Sequence, residues 1–135
     1  MLPVREEIRK FAGLSQERRR DILIAVFELG RARLALASIK PEDLSDAGGS
    51  VRSPDRIVNL TDRITWAVPA AASRVPWRAD CMVQAVAAQN WLGRLGVASR
   101  IHLGASKEAR EPFEAHAWLT VGDSVVVGGD VVLVC

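Results

Sequence analysis

An α+β domain is predicted by two features of the pattern: apolar residues recur at helical spacing as far as Leu95, and short β-branched stretches replace them after Gly96. A length of 135 residues with 49% hydrophobic and 25% charged residues fits one globular domain that buries its own core.

Ser15 is placed to cap a helix that begins near Gln16, and Ile22, Ala25, Val26, Leu29, Ala32 and Leu36 continue its apolar stripe until Pro41 stops it. Residues 43–53, with Gly48-Gly49 at their centre, read as a surface loop. Ser53-Pro54 supplies a cap followed by proline at the first helical position, so a second helix starts there. Ile57, Leu60, Ile64 and Val68 form its apolar face, and Pro69 is expected to kink or end it, because proline lacks the N–H donor and clashes one turn back. A third helix is expected from Cys81 to about Leu95, with Val83, Val86, Ala87 and Trp91 on one face and Gly96 at its end. Residues 99–103, 114–121 and 124–127 then read as strands, and Gly122-Asp123 turns a hairpin between the last two.

Net charge is +2, and the basic excess lies in residues 1–40, which hold nine Lys or Arg against five Asp or Glu. Arg18-Arg19-Arg20 flank an apolar stripe without interleaved aromatic residues, so they read as a solvated helix face, and no nucleic-acid partner is expected. No apolar run approaches the roughly 18 to 20 residues that span a bilayer, and no apolar h-region follows the charged N-terminus. Cytoplasmic localisation without membrane attachment is the expectation. Two cysteines do not make a disulfide framework, and a reducing compartment would leave both Cys81 and Cys135 as thiols.

Chemistry is expected around Cys81, because a helix N-terminus aims unpaired N–H groups at a sulfur placed there and favours the thiolate. Asp80 can cap the helix but opposes that ionisation, so an imidazolium must stand nearby. His116 is one candidate: alternation along the second-last segment puts Ala115, Ala117 and Leu119 on one face and His116 with Trp118 on the other, where a helix packed on the sheet would meet them. His102, on the preceding strand, competes with it as base. A carboxylate should orient the imidazole, and Asp130, after the strand that returns beside the histidine strand, is preferred to Asp123 in the turn. The two cysteines and two histidines lack close-paired spacing, so no metal site and no cofactor are expected.

Val75-Pro76-Trp77-Arg78-Ala79-Asp80-Cys81, running on through Met82-Val83-Gln84-Ala85 to Trp91-Leu92, opens an ordered set of motifs. Arg94-Leu95-Gly96-Val97, Arg100-Ile101-His102-Leu103-Gly104 and Phe113-Glu114-Ala115-His116-Ala117-Trp118 complete it. This set resembles the leader peptidases of lasso-peptide biosynthesis. The resemblance implies a transglutaminase-like, papain-related cysteine peptidase fold, with residues 1–52 as a helical segment integral to the domain and residues 53–135 as the catalytic core. It implies Cys81 as nucleophile, His116 as base and Asp130 as orienting acid. An oxyanion would be met by the Cys81 backbone N–H, with the Trp77 indole or the Gln84 amide as a second donor.

The implied reaction frees the core of a precursor peptide from its leader, and the implied partners are that precursor, a lasso cyclase and a separate leader-recognition protein. The last follows because the segment before the second helix is only about fifty residues of helix and loop, without strands that would pair with a leader. An amidase or acyltransferase of the same fold, and a non-catalytic partner-binding scaffold, are the alternatives.

Overall fold

Three helices precede a three-stranded antiparallel sheet among the residues that the computed structural model describes, namely 13–36, 48–77, 79–105 and 115–128, with the backbone alone at 104, 105, 115 and 116. Helix α1 (Gln16–Ala35) starts where Ser15 Oγ accepts the Arg18 N–H at 3.2 Å. Helix α2 (Pro54–Ala72) takes proline at its first position. Helix α3 (Cys81–Arg94) is capped by Asp80, whose Oδ1 accepts the Val83 N–H at 3.1 Å, and it ends on Gly96 at a φ of 79°. Strands β1 (Arg100–Ala105), β2 (Ala115–Val121) and β3 (Ser124–Val127) pair in the order β1-β2-β3. Gly122, at a φ of 58°, occupies the first position of the β2–β3 turn, which accepts that sign of φ without strain.

Helix α3 touches both other helices and all three strands. Its central place follows from its composition, since Cys81, Val83, Ala85, Val86, Ala87, Ala88, Trp91 and Leu92 leave little polar circumference and are all buried. Leu29 of α1, Ile64 and Val68 of α2 and Leu119 of β2 close the core around it. Among the described residues, no helix is long and apolar enough to cross a membrane.

Two carboxylates that the apolar stripe of α1 did not reveal are buried on the same face as Ala25, Leu29 and Ala32. Asp21 takes two hydrogen bonds from Arg63 of α2, at 2.7 and 3.2 Å, and Glu28 pairs with Arg94 of α3. The Asp21 hydrogen bond raises the Arg63 pKa above its ordinary value, burial opposes it, and the charges of Asp21 and Glu17 add to the rise. These pairs tie α1 to both neighbouring helices. Removing Arg94 would leave Glu28 charged and enclosed. Because the Arg94 side chain is half exposed, Arg94→Ala should cost about 2 to 3 kcal/mol, below the range for wholly buried pairs. A urea titration checks this, and a midpoint equal to that of the parent protein would mean the pair contributes nothing to stability.

Pro69 does not end α2, which runs on to Ala72. The proline stands in the last turn, and burial of Val68 and Ala71 holds that turn in place. The Gly48-Gly49 stretch is likewise more than a surface loop. The Val51 N–H donates to Gly96 O at 2.8 Å, and a Cβ on Gly49 would stand 2.4 Å from both Gly96 O and Ala98 N, so only glycine admits this approach to the end of α3.

Candidate active site at the start of helix α3

The Asp80 cap sets where α3 begins and therefore where Cys81 stands. The carboxylate occupies the Val83 N–H, and the Gln84 side-chain amide donates to Ala79 O at 3.0 Å, which fastens the incoming segment onto the first turn. The Gln84 amide thus serves to position that turn. Trp77 lies over α1, its six-membered ring within 3.6 Å of the position a Cβ on Gly30 would take. Its indole Nε1 is shielded from solvent and donates to none of the described residues.

The sheet meets this helix start through β2. The Ala117 N–H donates to Cys81 Sγ at 3.4 Å, which puts the backbone of the neighbouring His116 directly beside the sulfur. The His116 side chain falls outside the described residues. The expectation that the Trp118 face of β2 meets the helix is corrected: α3 packs on the face of Ala117 and Leu119, which are buried, because small and branched apolar residues stand there. Trp118 faces away from α3, and His102 stacks on it with ring centroids 5.2 Å apart and planes 6° from parallel. His102 Nε2 also lies 2.9 Å from Thr120 Oγ1. The competing histidine is therefore engaged on the far face of the sheet, not at Cys81.

Asp123 is exposed in the β2–β3 turn, and Asp130 falls outside the described residues. Gly128, at a φ of 78°, lies so near β2 that an added Cβ would stand 2.6 Å from Ala117 O. The end of β3 thus returns to the residue that touches the sulfur. Gly128→Ala meets both a left-handed φ and a backbone clash, so it should destabilise the protein by about 1 to 3 kcal/mol. Thermal unfolding measures this, and an unchanged midpoint would contradict the close approach.

Cys81 is disulfide-bonded rather than a thiol, which corrects the expectation from cysteine count and compartment. A sulfur in a disulfide has no thiolate to offer, so any nucleophile here appears only after reduction. Cys135, the other cysteine of the chain, falls outside the described residues.

A cysteine at a helix start, touched by a strand that carries a histidine at the next residue, is an arrangement suited to acyl transfer. No curated protein and no solved structure matched the chain significantly. A family model did match, that of the transglutaminase-like superfamily, over residues 21–133. That match covers most of the chain, which therefore belongs to the transglutaminase-like superfamily, a fold that commonly serves cysteine protease or acyltransferase chemistry.

Proposed function

We propose that this chain is a cysteine peptidase that removes the leader from a ribosomally made lasso-peptide precursor and so frees the N-terminus of the core for a separate cyclase. The observation that carries the reading is the 3.4 Å contact of the Ala117 N–H with Cys81 Sγ, next to His116, together with the ordered motifs from Val75 to Trp118. His116 is taken as the base from those motifs and from its place in the chain next to Ala117, while His102 is engaged with Trp118 and Thr120.

In the reduced protein, the Cys81 thiolate attacks the scissile carbonyl, and main-chain donors at the start of α3 meet the oxyanion. The shielded, unpartnered Trp77 indole N–H is the preferred second donor, since the Gln84 amide is given to Ala79 O. The C–N bond breaks as the His116 imidazolium gives its proton to the departing amine. The leader is left as a thioester on Cys81 and the core carries a free amine. Water, losing a proton to His116, then attacks the thioester and the thiolate leaves. Asp130 orients the imidazole, and it follows Gly128 by two residues, a reach of up to about 7 Å from a point beside Ala117.

Reaction takes place in the cytoplasm, where thiol reductants keep Cys81 available, and without a cofactor. A separate protein recognises the leader and raises its effective concentration at the site. The test is incubation of the reduced protein, with and without a candidate recognition protein, with a precursor encoded by a neighbouring gene, followed by product masses. Leader and core summing to precursor plus one water support hydrolysis, whereas transfer of the leader to an added amine in preference to water would make the chain an acyltransferase. Within the triad, Asp130→Asn should lower turnover more than Asp123→Asn, and the reverse order would remove Asp130 from its role.

A further inference from the structure

A groove of about 1030 Å³ runs along α1 and the C-terminal end of α3, lined among others by Arg19, Arg20, Leu23, Phe27, Trp91 and Arg94. Trp91 and Arg94 stand ten and thirteen residues beyond Cys81 on α3, which places the groove roughly 15 to 20 Å from the sulfur. It is a separate surface from the candidate active site.

Its chemistry is uneven. Leu23 and Phe27 are 60% and 56% exposed, one helical turn apart on α1, and they form an apolar strip beside a basic one. Glu17 is the one carboxylate among the described lining residues. The nearby arginines are not equivalent: Arg18 lies over the Trp66 ring at 4.2 Å, and Arg94 is paired with Glu28. Arg19 differs from both. Its Nε is shielded from solvent and has no hydrogen-bond partner among the described residues, which is costly for a cationic donor. An acceptor brought into the groove would remove that cost, and a carboxylate fits a guanidinium best.

We propose that this groove docks an acidic, apolar peptide segment of a partner polypeptide, with a carboxylate on Arg19 and Arg20 and apolar side chains on Leu23 and Phe27. Along α1 these contacts extend over about two turns, roughly 12 Å, so one short segment satisfies them together. The site deepens the proposed function by giving the peptidase a contact away from Cys81, yet it is tested by binding alone.

The probe is a fluorescein-labelled peptide of Leu and Glu with leucines at helical spacing, and its control carries Lys in place of every Glu. Fluorescence anisotropy with the full chain should show saturable binding of the Glu peptide and at least about tenfold weaker binding of the Lys peptide. Arg19→Glu and Phe27→Ser should each weaken the Glu peptide by about tenfold or more, with unfolding midpoints near that of the parent. Leu23→Ser is the second apolar variant should Phe27→Ser unfold. Raising salt from about 50 to about 500 mM should weaken binding, as screening requires. No saturation by about 1 mM, equal binding of the two peptides, or indifference to both variants overturns the proposal. So does self-association that Phe27→Ser abolishes, because the occupant is then a second copy. A gain in affinity on replacing Glu6 and Glu7 with Lys overturns it too, because the occupant is then the chain's own N-terminal segment.

Discussion

Cys81→Ala should abolish precursor cleavage, with a loss of roughly 10³-fold or more, while the thermal unfolding of the reduced protein stays close to that of the parent. The asymmetry follows from what the side chain does. Reduced Cys81 fills a small buried position that alanine also fills at modest cost, whereas no neighbouring group at the helix start replaces its sulfur as nucleophile. The same sulfur makes activity depend on redox state. Protein kept oxidised should be inactive, and a dithiol reductant should restore it, because the disulfide must open before a thiolate exists. Cys135→Ser should keep most of the activity, since nothing assigns Cys135 a part in the reaction. Full activity of the parent under oxidising, reductant-free conditions would show that Cys81 sulfur is not the nucleophile.

His116→Ala should be nearly as damaging as loss of the nucleophile, since base and thiolate act as one unit and either deletion disables both chemical steps. His102→Ala provides the contrast. It loses the stack on Trp118 and the contact with Thr120, worth about 1 to 2 kcal/mol of stability, but should change turnover by no more than a few-fold. Steady-state rates of the two reduced variants on one precursor decide between them. If His102→Ala were the worse lesion at a temperature where both remain folded, His102 would be the base and the proposed triad would fall.

Much of the fold was legible because its signals are local. Ser15, Ser53-Pro54 and Asp80 mark three helix starts, and Gly96 and Gly122 mark a helix end and a turn, each through a backbone requirement that one residue type meets. Cys81 was legible for the same reason, as the first residue after a cap. What was not legible depends on partners distant in the chain. Asp21 and Glu28 pair with Arg63 and Arg94, 42 and 66 residues further along the chain, and Gly49 reads as a loop glycine until the 96–98 segment approaches it. Alternation along β2 showed that Ala117 and Trp118 face opposite ways but could not say which face the helix would cover. The answer was the small apolar face of Ala117 and Leu119. Pro69 shows the same dependence, because α2 continues past it to Ala72 where Val68 and Ala71 are buried against the core.

The most direct measurement is the intact mass of the reduced protein, quenched in acid within the first turnovers on a precursor peptide, followed by fragmentation to find the modified residue. A cysteine peptidase acting through Cys81 should carry an added mass equal to the leader minus one water, held as a thioester on Cys81 and absent from Cys81→Ala. Cleaved precursor without any adduct on Cys81, or the adduct on Cys135, would contradict the assignment of the nucleophile.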